Sequence, residues 1–292
     1  MIQNNFKPEH INATAKDLEG NNGLGRYVFF PGSFGRAKLI AESCFLDLRA
    51  NVHHRGHTLY MGRLNNIEGQ NIDVAAVASG MGTPSVEIIL NELINLGTKR
   101  FLRVGTSGLL QPQFMKPGDF VIATGAVRDE NATRNYIPSE YPAIASMDMI
   151  IAAQKASEKQ GFKSKTYSGL IHSKDTLFAR EFLEGPNSQA NRKYMGLLRR
   201  SGVLASDMEA SMLFVLSSLF EHKFNQRKFP HNECNKIKSG AVCVVLGEGT
   251  DFGSEQSLER MTTELIQFAK YTIIELARLE SDLISREIKF NK

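Results

Sequence analysis

Short apolar, β-branched runs alternate along the chain with longer stretches in which apolar residues recur every three or four positions. The runs at 27–30, 72–79, 101–105, 119–127, 167–173 and 240–246 predict strands. The 3.6-residue spacing predicts helices over 35–44, 84–97, 146–161, 207–220 and 255–281. Pro84 at a first helical turn and Gly97 just past a last one fit helix-end chemistry. In the final helix Leu258, Met261, Leu265, Phe268, Ile273, Leu276 and Leu279 fall on one face, the pattern of a helix that closes a core. Strands alternating with helices predict an α/β fold whose sheet is mainly parallel and covered on both faces. No repeat, low-complexity tract or convincing linker interrupts the pattern, so a single domain over 1–292 is expected. The polar stretch 221–238 reads as an exposed insertion.

Composition narrows the function classes. Net charge is +4, but the basic residues are dispersed and aromatics do not interleave with them, which argues against a nucleic-acid surface. No apolar run reaches the ~18–20 residues of a membrane span. The first ten residues, MIQNNFKPEH, lack a charged-then-apolar leader, so a cytoplasmic protein is expected. Three scattered cysteines (Cys44, Cys234, Cys243) with no CxxC pair support neither a disulfide framework nor a zinc site. Arg55 lies among His53, His54 and His57, yet no matching carboxylate pattern accompanies them and no metal is expected.

The chemistry concentrates where predicted strands end. Ligands of open α/β sheets gather beyond the carboxyl ends of strands. Three such ends carry glycine-rich turns: 31-PGSFGR-36, 79-SGMGTPS-85 and 103-RVGTSG-108. Gly32 and Gly35 allow close backbone approach, and the second turn leads into a helix start, which favours anions. Arg103 is the anomaly, because a strand interior rejects an unpaired guanidinium. Singly, each turn also reads as ordinary structural glycine. Jointly, with Arg36, Arg103 and the Thr106 hydroxyl, they describe a phosphate pocket, since arginine's forked donors match tetrahedral oxyanions. Neither a Walker loop nor GxGxxG is present, so no nucleoside triphosphate or dinucleotide is implied. In 203-VLASDMEASMLF-214, Asp207 is accounted for as a carboxylate at a helix start. Glu209 sits between residues that read as interior, where a carboxylate can accept from the two vicinal hydroxyls of a ribose.

These motifs resemble the nucleoside phosphorylase family, and its uridine phosphorylase branch in particular. The likeness runs from His10 to the terminal helix. It is strongest in 101-FLRVGTSGLLQP-112, 118-GDFVIATGAVRDE-130, 172-HSKDTLF-178 and 207-DMEAS-211. The resemblance implies a three-layer α/β sandwich around a twisted mixed sheet that closes into a distorted barrel. It implies dimers, often trimers of dimers, that share active sites across an interface. Gly32, Arg36, Arg103 and Thr106 match phosphate binders; Arg55 matches an arginine that reaches the neighbouring copy's phosphate. His10 matches a histidine lent to the neighbour's ribose 5′-hydroxyl, while Met208 and Glu209 match a ribose-binding pair. The implied reaction is reversible phosphorolysis of a nucleoside to free base and pentose 1-phosphate. Inorganic phosphate is the co-substrate, and neither metal nor organic cofactor is required.

The base region departs from the uridine pattern. Uridine enzymes of the family place an aromatic residue, then a glutamine and an arginine that read the uracil edge. Here Leu177 takes the aromatic position, and Arg180 and Glu181 are the polar candidates, in shifted places, with Gln189 nearby. The segment up to Asp207 is shorter than in bacterial uridine enzymes. In 244-VVLGEGTDFG-253, Glu248 stands near the place where purine enzymes carry an acid that protonates the leaving base, with Asp251 soon after. It is either that catalytic acid, which would favour a purine, or a loop carboxylate. Gly56 replaces a glutamate that binds a monovalent cation in some relatives, and the usual Gly-Asp-Pro is Gly-Ser-Phe at 32–34. The expected substrate is uridine, with a purine nucleoside as the alternative. A hydrolytic nucleosidase and a non-catalytic nucleoside binder are the remaining rivals.

Overall fold

The computed structural model describes residues 6–65, 69, 71–225, 236–247 and 254–290. Ten strands form one sheet: β1 (Tyr27–Phe30), β2 (Leu46–Asn51), β3 (Leu59–Asn65), β4 (Asn71–Ala76), β5 (Arg100–Leu109), β6 (Phe120–Asp129), β7 (Ala143–Ile144), β8 (Thr166–Lys174), β9 (Ala205–Asp207) and β10 (Lys238–Val245). The helices are α1 (Phe34–Cys44), α2 (Thr83–Asn95), α3 (Met147–Lys159), α4 (Ser188–Arg200), α5 (Ala210–Asn225) and α6 (Glu255–Phe290). The spatial order is β10-β6-β8-β9-β5-β1-β4-β3-β2, and β10 also pairs with β5. That second pairing closes β5, β9, β8, β6 and β10 into a five-strand barrel, from which β1 to β4 extend as an open wing. The long strand β5 belongs to both parts. Its first residues pair with β1 and its last two, Gly108 and Leu109, with β9.

The expectation of a mainly parallel sheet is corrected: the pairings described divide evenly between parallel and antiparallel. The antiparallel half comes from β2 with β3, β3 with β4 and β6 with β7, which are neighbours in sequence, and from β10 with β6 and β5 with β9, which are not; the alternation of long elements registers neither kind. Strand alternation then sorts the core. Val28, Phe30 and Phe101 face α2 and α5, whereas Tyr27, Phe29, Leu102 and Val104 face α1, α3 and α6. On α6 the apolar face named above is buried from Met261 through Leu276. α2 begins with Pro in its first turn and ends before Gly97 at φ 100°, a conformation open to glycine. No helix among the described residues is long and apolar enough to cross a membrane.

One buried charged group pins α6 to the strand starts. The Arg100 guanidinium lies 2.6 Å from Glu280 through Nη2, and its Nε also donates to the same carboxylate. Tyr27 donates to Glu280 Oε2 at 2.6 Å, and Lys238, itself paired with Asp148 at 2.5 Å, adds a second cation at 3.1 Å.

Candidate active site

The site begins where β1 and β4 end. Ser33 caps α1 by accepting from the Arg36 backbone N–H at 3.2 Å, which turns the chain sharply and brings Arg36 back beneath it. Gly32 faces the loop after β4 so closely that a Cβ there would stand 3.2 Å from the Gly80 carbonyl. Gly80 and Gly82 both have φ near +78°, and a Cβ on Gly80 would overlap the Ser85 hydroxyl. This conformation points the Gly82 N–H at Glu209, donating to Oε1 at 2.8 Å.

Arg103 is the hub, with its side chain only 4% exposed. Its Nε donates to Asp207 at 2.8 Å and its Nη2 lies 2.5 Å from Glu209 Oε2. Burial opposes its charge, but Glu209 and Asp207 outweigh burial and hold its pKa above the ordinary arginine value. Gly105 leaves room for this fork: a Cβ there would meet both Arg103 and the Cys243 sulfur. Arg36 comes in beside it. Burial first, and then the charge of Arg103, lower its pKa. Its Nη1 donates to the Val104 carbonyl at 3.3 Å, while its Nε is buried and has no hydrogen-bond partner. Two guanidiniums held together with an unfilled donor have the chemistry to accept an anion. Thr106, half-buried, follows on β5 opposite Val244. Cys243 completes the wall, and burial, against the pull of Arg103, pushes its thiol up to about 12.

Asp207 does more than complement a helix start. Oδ2 accepts from Arg103 and from the Ala210 backbone N–H that opens α5, and Oδ1 accepts from Ser173 at 2.6 Å. It therefore sets the position of Arg103, a role the sequence reading missed. Glu209 accepts from Gly82 and from the Met208 backbone N–H at 3.3 Å. Met208, half-buried, lines an open cleft of about 920 Å³ together with Met81, Gly82, Asn131, Tyr136 and Asp175. Gly32, Arg36, Arg103 and Glu209 are thus brought together, with Thr106 and Met208 at the margin.

Next to this group lies a single wide turn, Leu177–Glu181, after β8. Leu177 is half-buried at its start. Arg180 is committed elsewhere: Nη2 and Nε hold the two oxygens of Asp129 at 3.0 and 2.7 Å, Nη1 donates to Asn191, and the group lies over the Tyr194 ring. Glu181 reaches inward to Lys174, at 2.8 Å. A chain of contacts joins the two neighbours. Lys174 donates to Ser206 Oγ at 2.7 Å, Ser206 meets His172 Nδ1 at 3.0 Å, and His172 Nε2 meets Asp129 at 2.9 Å. Lys174, Ser206 and His172 were not singled out from sequence. Lys174 carried the same signal as Arg103, a cation at the end of an apolar strand.

His10 and Arg55 are not brought into the cluster. His10 Nδ1 meets Glu92 on α2 at 2.8 Å, and the same carboxylate accepts from the backbone N–H groups of residues 9 to 11. Arg55 is exposed in the turn between β2 and β3. Glu248 and Asp251 lie outside the described residues.

Comparison with known proteins bears on this arrangement. The family model described as the phosphorylase superfamily matches residues 26–268. A uridine phosphorylase of Treponema pallidum (strain Nichols) is 31% identical over 243 residues, covering 82% of this chain and 82% of that protein. A uridine phosphorylase of Haemophilus influenzae is 34% identical over 214 residues, covering 72% of this chain and 79% of that one. A guanosine phosphorylase of Halorubrum lacusprofundi is 29% identical over 220 residues, covering 75% and 77%.

Proposed function

We propose, for a chain that belongs to the phosphorylase superfamily and is an enzyme of the pentosyl-transferring kind, that its reaction is phosphorolysis of a nucleoside, with uridine as the first substrate. The observation that carries this reading is the anion receptor made by Arg36 and Arg103 directly beside Glu209. A hydrolase using water has no need of two guanidiniums around its nucleophile.

Glu209 pairs with Arg103. Phosphate entering the receptor takes the donors of Arg103 and the open donor of Arg36. Glu209 is then released toward the vicinal hydroxyls of the pentose, which Met208 covers. The C1′–N bond breaks with its electron pair passing to the base, and a phosphate oxygen forms the new bond to C1′ from the opposite face. The base leaves with a proton or a hydrogen bond to stabilise it; Glu248 is the candidate for that proton. The arginines supply preorganised electrostatics and Glu209 supplies orientation. His10, which pairs with Glu92, and Arg55, exposed in the turn between β2 and β3, make no contact with Arg36, Arg103 or Glu209 of their own chain and serve the site of a second copy. That arrangement requires at least a homodimer, and a trimer of dimers satisfies it as well.

A purine nucleoside is the second reading. The guanosine phosphorylase among the relatives favours it, as does the absence of the usual uracil-reading residues from the turn Leu177–Glu181. The test is base release from uridine, thymidine, inosine, guanosine and adenosine, each with and without phosphate. Phosphate-dependent release from uridine is expected. Release without phosphate would mean a nucleosidase, and none from any substrate a binding protein. Mixing inactive Arg55→Ala chains with inactive Glu209→Ala chains should restore activity through hybrid sites, measured after co-refolding. No recovery would remove the shared-site reading.

A further inference from the structure

The segment after β6 buries a carboxylate that the proposed reaction does not use. Glu130 is 1% exposed. Among the described residues no cation pairs with it directly. Its Oε1 accepts from the hydroxyls of Ser211, at 3.1 Å, and of Thr133, and its Oε2 accepts from the Thr133 backbone N–H at 2.9 Å. Arg128 reaches it through Thr133, whose hydroxyl accepts from Nε at 3.0 Å. A carboxylate buried among neutral donors is costly, so its place in the fold asks for a reason.

The reason lies one residue further in. Ser211, in the first turn of α5, bridges two groups: its hydroxyl donates to Glu130, and its backbone N–H donates to Ser173 Oγ at 3.1 Å. With that N–H on its acceptor side, the single proton of the Ser173 hydroxyl goes to Asp207 Oδ1, at 2.6 Å. Ser173 and Asp207 stand opposite each other in the parallel pairing of β8 and β9, so the contact is built into the sheet register. Oδ2 of Asp207 is held by Arg103 Nε and the Ala210 N–H, whereas on Oδ1 Ser173 is the one partner among the described residues. Rotation of the carboxylate about its Cβ–Cγ bond is therefore set from the Ser173 side. Ser173, Ser211 and Thr133 are all fully buried, which keeps water from standing in for any of them.

We propose that Ser173, held in place by Ser211 and Glu130, is a positioning residue of the anion receptor: it fixes the plane of the Asp207 carboxylate and through it the direction of the Arg103 fork. The inference rests on the anion-receptor reading above and not on which nucleoside is cleaved. Thr133, at the outer end of the chain of contacts, lies between Asn131 and Tyr136, which line the cleft beside Met208. Receptor and cleft wall thus share one buried frame.

The experiment measures the dissociation constant of inorganic phosphate by calorimetric titration, a readout that needs no turnover. Ser173→Ala is expected to weaken phosphate binding about tenfold, the size of one hydrogen bond to a charged group. Ser211→Ala, which removes only the hydroxyl one link further out, should weaken it about threefold. In an Asp207→Ala background the Ser173→Ala change should add less than twofold, because the group it acts through is gone. In turnover, the KM for phosphate should rise with the dissociation constant while the KM for the nucleoside moves less than twofold. Unchanged phosphate affinity in Ser173→Ala, with a normal melting transition, overturns the proposal. An equal loss with and without Asp207 overturns it as well, as does an equal rise in both KM values. Should Ser173→Ala fail to fold, Ser211→Ala decides: weaker phosphate binding supports the proposal and unchanged binding overturns it. If the wild-type protein binds phosphate but cleaves no nucleoside, the phosphorylase reading fails while the proposal stands. If it binds no phosphate, both fall.

Discussion

Strand β5 carries two buried arginines three residues apart, and they have opposite fates. Arg100 faces α6 and lies in a closed group in which Glu280 also meets Tyr27 and Lys238. Arg103 faces the loops after β1 and β4, among glycines and a second guanidinium whose Nε has no partner. Both clusters combine cations and carboxylates at comparable distances. A buried arginine in a strand is therefore not in itself a binding site. What separates the two is how completely the surrounding groups are satisfied and whether backbone glycines leave room for a ligand. Arg100 joins elements of the fold to one another, while Arg103 lies beside a donor of Arg36 that nothing in the fold fills.

That contrast can be broken by removing one arginine at a time. Arg100→Ala leaves Glu280 buried beside a vacated guanidinium, and the expected loss is about 3–5 kcal/mol of stability in a urea titration. Activity per folded molecule should be unchanged; lost phosphate use at normal stability would reverse the two roles. Arg103→Ala also unbalances Asp207 and Glu209, so its melting temperature falls too. Its distinguishing effect is on the reaction, where about 3 kcal/mol of transition-state stabilisation, or about 10²-fold in kcat/KM for phosphate, should disappear. Near-normal turnover at low phosphate would sink the assignment.

The smallest effect sharpens the comparison through pH. Burial would raise the Glu280 carboxyl, but Arg100, followed by Lys238 and Tyr27, holds it below the ordinary 4.5. A lowered folded value means the pair's contribution is fully present above that ordinary value and is lost as pH falls through the folded one. Wild type and Glu280→Gln should therefore differ in stability at neutral pH and converge in acid, which urea titrations across the acid range would follow. A gap that widens in acid would mean the sign is wrong.

The sequence made the interior strands legible and the edges not. β1, β5, β6, β8 and β10 are apolar runs, and each was expected within a few residues of where it lies. β2 is largely exposed, and its sequence LDLRAN has no continuous apolar face to register. β9 has only three residues, too few for any period. α4 was not expected, since Met195 and Leu198 are its few buried apolar residues in a strongly basic stretch. The site divides along the same line. Arg103 and Glu209 stood out as charges inside apolar runs, and the glycine turns marked where backbone approaches backbone. The function of Asp207 could not be read, because a carboxylate opening a helix has an adequate local explanation and its partners, Arg103 and Ser173, are distant in sequence. Lys174 and Glu181 meet across a turn whose wide geometry has no spacing signature.

The contact between Gly108 and Glu181 also constrains how this chain can change over generations. Any side chain gained at position 108 would push the Glu181 carboxylate away from Lys174, although neither change need disturb the barrel around it. Because the overlap is with the end of a flexible side chain, the glutamate can swing aside and give up Lys174, so the two positions are coupled through that ion pair rather than through the backbone.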